Sequence, residues 1–365
     1  MNYGNVESKS IDGLMEVVYD SGELSSSASS ITISGLNGDV DQEYQLIIRM
    51  IGVNDGALVL NFNNTTASND YGYKDIYAAN ATASAHQDIE QTSGFIYYHG
   101  VSSGNTSFSE HKIYAKSGYL RTIIGRTVEE IGNGGATVVY TITQQGQCWS
   151  NTVDSITSII LTCTQASGIG IGSRVILLRK VSSPSGMAVG TMNIKGTLKY
   201  AWQEVYKTTL GASASSVTIS NLKGNSDVLY RLIVRPYNTL GWILMTFNTD
   251  TGSNYGYQSL FGVDTAVTAA RATDVGVYPD YSGVQAGEVS FSETLIYAKS
   301  GYVRPMINNF LFRNSGTTVA GTGIQGMVWN NTVNEITQIV LTAAYSSGTP
   351  LFDAGTYICL ERLNL

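Results

Sequence analysis

Ser27–Gly38, SASSITISGLNG, returns as Ser213–Gly224, SASSVTISNLKG, and this echo decides the fold. Working outward in the same register, Tyr44–Arg49 (YQLIIR) answers to Tyr230–Arg235 (YRLIVR). Phe62-Asn63 ahead of Tyr71-Gly72-Tyr73 answers to Phe247-Asn248 ahead of Tyr255-Gly256-Tyr257. SFSE at Ser107–Glu110 recurs at Ser290–Glu293, and Ile113–Tyr119 (IYAKSGY) recurs verbatim as Ile296–Tyr302. Trp149–Val153 leading into Ile156–Thr162 pairs with Trp329–Val333 leading into Ile336–Thr342. The chain is therefore read as two tandem copies, residues 17–180 and 204–365. A linker, residues 181–203, contains Ser182-Ser183-Pro184-Ser185-Gly186. Residues 1–16 find no partner in the second copy and are expected to form an N-terminal arm.

Each copy reads as strand, turn, strand. Ser30–Ser34 (SITIS) alternates polar and apolar residues at the period of a half-buried strand, and Asn37-Gly38 after it signals a turn. Leu58–Phe62, Ala136–Ile142, Ile156–Thr162 and Arg174–Leu178 are β-branched or aromatic runs bounded by Gly, Asn or Ser. No window carries a capped apolar stripe at helical spacing. The fold class expected is all-β, with two homologous antiparallel β-sandwich domains of jelly-roll type.

Composition narrows the chemistry. Only 13% of the 365 residues are charged while 43% are hydrophobic, so Ser, Thr, Asn and Gly must supply much of the polar surface. Lys plus Arg number 21 against 28 acids, a net charge of −7 with no basic cluster, which argues against nucleic-acid and anionic-membrane partners. The N-terminus lacks the apolar run of a signal peptide, and no stretch reaches membrane-spanning length. Cys148, Cys163 and Cys359 are widely spaced, without metal-ligand or disulfide-framework spacing, and are expected as buried thiols.

Candidate catalytic groups fail a test that the duplication supplies: chemistry belonging to the fold should occur twice. His86, His99 and His111 fall in the first copy only, so no metal site is expected from them. Asp70 and Asp75 have no acidic counterparts. Glu110 and Glu293 do repeat, with Lys116 and Lys299, but a glycoside hydrolase needs a pair of carboxylates and each copy offers one. The SFSE and IYAKSGY blocks are read instead as core strands, with Phe108, Ile113 and Tyr114 inward and Lys-Ser-Gly turning the hairpin. The GIGIG run at Gly168–Gly172 precedes no helix and reads as a turn. No catalytic residue, cofactor or metal is expected, and the protein is read as a non-enzyme.

The 23 tyrosines and four tryptophans are the remaining resource. Trp149 and Trp329 precede apolar strands and are expected in the core. Tyr71, Tyr73, Tyr255 and Tyr257 stand among Asn and Ser, and are expected on surface loops as partner contacts. In the arm, Ile11, Leu14 and Met15 are the apolar residues expected to anchor on a neighbouring subunit.

Several of these segments resemble a β-sandwich module of tailed-bacteriophage virion proteins. In that module an FN.D...NY loop precedes a W.....ITSI strand and a closing GS...LY strand. Phe247–Tyr255, Trp329–Thr332 with Ile336–Leu341, and Ala354–Arg362 carry the resemblance in the second copy. Phe62-Asn63, Trp149, Ile156–Ile159 and Gly172–Leu178 carry it in the first. The closing Leu-Tyr is Leu178-Arg179 and Leu360-Glu361 here, so any role of that tyrosine does not transfer. The resemblance implies a structural virion protein made in the host cytoplasm, with head decoration the preferred role. Capsid or other virion proteins and further copies of itself would be its partners. The alternative is a tail or fibre adhesin that binds host glycans through the tyrosine loops, with Asn63, Asn248 and Asp250 bonding to hydroxyls.

Overall fold

Period-two runs separated by Gly, Asn and Ser turns become strands almost throughout. The computed structural model describes residues 15–67, 69–131, 139–180, 201–237, 241–263, 266–284, 290–313, 320–344 and 352–365. Ile11 and Leu14, most of the arm and most of the linker lie outside the described residues, as does the side chain of His99.

The first copy contains β1 (Met15–Asp20), β2 (Ser30–Ser34), β3 (Glu43–Ile51), β4 (Gly56–Phe62), β5 (Tyr71–Ala79) and β6 (Thr82–Gln91). It continues with β7 (Gly94–Val101), β8 (Thr106–Tyr114), β9 (Arg121–Ile131), β10 (Thr141–Trp149), β11 (Ser158–Cys163) and β12 (Arg174–Lys180). The second copy opens with β13 (Trp202–Thr209), β14 (Ser216–Ile219), β15 (Leu229–Arg235), β16 (Gly241–Phe247), β17 (Tyr255–Val263) and β18 (Ala266–Asp274). It closes with β19 (Val277–Val284), β20 (Ser290–Tyr297), β21 (Arg304–Arg313), β22 (Ala320–Trp329), β23 (Ile339–Ala344) and β24 (Tyr357–Leu363). Among the described residues helix is confined to two single turns, α1 (Gly38–Asp41) and α2 (Gly224–Asp227).

Each copy is a sandwich of one large and one small antiparallel sheet. The large sheet has eight strands in the order β1-β12-β3-β8-β9-β10-β5-β6, and the small one four in the order β2-β11-β4-β7. The second copy repeats both orders strand for strand, as β13-β24-β15-β20-β21-β22-β17-β18 and β14-β23-β16-β19. The chain passes back and forth between the two sheets, the winding of a jelly roll, with the β8–β9–β10 meander widening the larger sheet.

The duplication reaches further toward the N-terminus than the sequence alone indicated. β1 pairs with β12, and β13 with β24, each interrupted by a bulge before a tyrosine, Tyr19 or Tyr206. Met15 is consequently half-buried in β1, packed with Val17 against the apolar cluster between the copies. This corrects its place in a free arm: edge pairing to β12 holds it inside the first domain.

The same side chains fill both cores. Trp149 is fully buried against Phe62 and Tyr71, with ring centroids 5.2 and 6.5 Å away, and Trp329 is set against Phe247 and Tyr255 at 5.1 and 6.2 Å. A buried guanidinium covers each indole, Arg121 at 5.3 Å and Arg304 at 5.2 Å from the ring. Each core also has a large apolar cluster around these rings, where burial of apolar area gives the main stabilisation. Two expectations about the core need correction. Tyr114 alternates to the outer side of β8 and is exposed, and Cys148, facing away from the core between Gln147 and Trp149, is half-buried.

Candidate interaction site at the junction of the sandwiches

A third apolar cluster lies between the two domains. It is formed where the outer faces of the large sheets meet, displaced along the strand order: β9 lies near β21 and β22, β10 near β22 and β17, β5 near β17, β6 near β18, and β8 near β21. Phe108, Val128 and Leu178 from the first domain are buried against Leu295, Tyr297 and Ile307 from the second. The chain is thus four sheets deep, with the junction between the two large ones.

Polar groups fix the register of this contact. Burial alone would raise the pKa of the Glu110 carboxyl, but Arg126 and the amide of Gln45 outweigh it and hold the group below the usual range. Arg126 Nε donates to Glu110 at 2.6 Å, and the same guanidinium lies 3.5 Å from Glu293 across the junction. The two repeated glutamates therefore do come together, beside a cavity of ≈ 200 Å³. A general acid would need a raised pKa, whereas Glu110 is held as a carboxylate. Its role here is electrostatic: the two acids share one cation.

The second polar contact is an arginine between two tyrosines. Arg49, at the end of β3, is buried with its guanidinium 4.1 Å from the ring of Tyr297 and 4.3 Å from that of Tyr302. Glu23 approaches Arg49 at 3.2 Å and Lys299 at 2.8 Å, and Tyr297 donates to it at 3.3 Å. Burial raises the Glu23 pKa, and the bond from Lys299 with the charge of Arg49 more than reverses that. Gly172, at φ +85°, has no side chain because the Tyr302 hydroxyl occupies that space, and its carbonyl accepts from Arg49. Sequence reading missed Arg49, Glu23, Tyr297 and Tyr302 as contact residues. The available signal was the verbatim IYAKSGY repeat, too polar in its second half for a core strand.

The tyrosines predicted to make partner contacts are elsewhere. Tyr71 and Tyr255 sit in β5 and β17, fully inside the sandwiches, with their hydroxyls bonded to the backbone N–H of Phe62 and Phe247 at 2.7 and 2.9 Å. Tyr73 is buried with its hydroxyl 2.9 Å from His86 Nδ1, and Tyr257 is buried edge-on to Tyr278 at 5.7 Å. All four are therefore corrected from surface loops to the interior: two residues apart on one strand, they share its inward face.

Asn63 and Asn248 are likewise structural. At φ +53° and +52° they turn the chain after β4 and β16, and their side-chain oxygens accept from Thr157 and Ser158 or from Thr337 and Gln338. Asp250 accepts from Trp329 Nε1 at 2.9 Å. The groups proposed to bond with sugar hydroxyls are thus engaged within the fold. Among the described residues no cluster of His, Cys, Asp and Glu could hold a metal, and no helix is long and apolar enough to cross a membrane. No protein-family model matches the chain, and no curated protein matches it.

Proposed function

We propose that this chain is a non-enzymatic structural protein of a tailed-phage virion, working as a decoration protein on the capsid surface. The observation that carries the reading is where its exposed apolar side chains gather. Ile76, Tyr114 and Ile124 project from the outer face of the first large sheet, and Val267, Phe291 and Leu311 from that of the second. Exposed apolar side chains of this kind suit protein contact, and the low charged fraction of the whole chain, 13%, favours neutral, close-packed partners. A two-sandwich protein that binds only assembled shells stabilises them by mass action. The glycan-adhesin alternative loses its main support, because the tyrosines that carried it are interior.

Immunogold labelling of purified virions with an antibody to this chain tests the assignment. Label on heads is the expected result; label confined to tails, or its absence from virions, would overturn it. Deleting residues 1–14 should weaken attachment while leaving both sandwiches folded, since β1 starts at Met15.

A further inference from the structure

The junction uses different halves of the same face in the two domains. Phe108 pairs across strands with Val128, and the equivalent pair in the second domain is Phe291 with Leu311. Phe108 and Val128 are fully buried, whereas Phe291 is 37% and Leu311 48% exposed. The neighbouring pair reverses the pattern: Leu295 and Ile307 are fully buried, while their counterparts are the exposed Lys112 and Ile124, the latter 51% exposed. Identical places in one duplicated sheet thus have opposite fates. Contact is between one half of the first domain's face and the other half of the second's, which is head-to-tail rather than self-complementary.

The Arg49 contact repeats the asymmetry. The counterparts of Tyr297 and Tyr302 are Tyr114 and Tyr119, which stand out at 43% and 69% exposure beside Lys116. The counterpart of Arg49 is Arg235, exposed in a cavity of ≈ 440 Å³ with Phe291, Leu311, Tyr357 and Gly355 in its wall. Gly355, at φ +97°, answers to Gly172, the residue over which Tyr302 lies. One end of the chain therefore carries an exposed tyrosine plug, and the other an open seat for it, bordered beside Gly355 by the chain's own Tyr237.

We propose that these two surfaces bind each other between separate copies of the chain, the Tyr114/Tyr119 surface of one docking on the Arg235 seat of the next. The occupant is a second copy because the chain already makes this junction once internally, and Arg235, Phe291, Tyr114 and Tyr119 stand in the places of Arg49, Phe108, Tyr297 and Tyr302. Head-to-tail junctions propagate, so whole chains join into a closed ring or a short filament. Tyr114, Ile124, Phe291 and Leu311 are side chains on which the virion reading also rests; sedimentation without capsid tests the self-contact and labelling of virions tests the location, so the two failures are distinguishable.

Three samples test it by sedimentation equilibrium without any other virion component. Wild type should be oligomeric at micromolar concentration. Ile124→Asp, which charges the plug surface, and Leu311→Asp, which charges the seat, should each sediment as monomers. Both sites are exposed, and unchanged far-UV circular dichroism would verify that the variants fold. Mixed in equal amounts, the two variants should form a dimer and nothing larger, because only the intact seat of the first and the intact plug of the second can join. A monomeric wild type would overturn the proposal, as would variants that remain oligomeric. Failure of the mixture to dimerise would overturn the head-to-tail arrangement.

Discussion

In the first sandwich His111 on β8 faces Gly125 on β9; at the same place in the second, Thr294 faces Asn308. A side chain on Gly125 would collide with the imidazole, and the space given up by replacing His with Thr is occupied by Asn. Thr294 and Asn308 join by a 3.0 Å bond, and Asn308 donates onward to Pro279 O at 2.6 Å. His111 is instead fully buried with Nε2 unbonded among the described residues. The Phe-Trp-Tyr clusters, by contrast, are the same in both copies to within a few tenths of an ångström. Apolar packing is shared, and the polar pairs around it exchange volume as units. A large partner can stand only opposite a small one, as close packing requires.

The largest expected effect is a symmetric one. Trp149→Ala and Trp329→Ala should each cost roughly 3–5 kcal/mol, from lost burial and a residual cavity. Chemical denaturation of both variants measures it. A loss in one copy only would break the equivalence of the two cores.

Much of that equivalence was legible in the sequence, because the repeats and the period-two runs depend on local residue types. The depth of Tyr71 and Tyr255 was not. Their Asn- and Ser-rich surroundings signal a turn correctly, but the tyrosine itself begins the following strand, and its burial is decided by Phe62 or Phe247 and a tryptophan distant in sequence. The junction was still less legible. Phe108 and Phe291 share the context SFSE yet differ completely in exposure, which only the packing of one sheet on another determines.

A smaller effect separates the copies by pH. Burial pushes the His111 pKa from 6.5 down to about 3, against the opposing pull of the Glu110 carboxylate. Between those values the unfolded chain binds a proton that the folded chain refuses. The stability held above pH 6.5 therefore drains away as the pH falls toward 3. Replacing the pair with its second-copy equivalent, His111→Thr with Gly125→Asn, should remove about 3 kcal/mol of the loss between pH 7 and pH 4. Urea unfolding at the two pH values gives the comparison. Parallel pH profiles for wild type and double variant would show that the imidazole finds a way to charge inside the fold.

The smallest effect concerns how the two indoles end. Trp329 Nε1 donates to Asp250, whose carboxylate also accepts from Gly252 N and Asn254. Burial raises the Asp250 pKa, and these donors, Trp329 foremost, bring it below the usual value. In the first copy the matching turn position is Thr65, whose N–H bonds to Phe62 O as that of Asp250 bonds to Phe247 O. Trp149 Nε1 meets no acceptor among the described residues. Asp250→Ala should thus cost roughly 1.5–3 kcal/mol, the worth of a hydrogen bond to a charged group. Thr65→Asp, by offering the missing acceptor, should recover part of the same amount in the first copy. The unfolding midpoints of the two variants, read against wild type, should move in opposite directions. Movement in the same direction would mean that the turn, rather than the indole, sets the preference at this position.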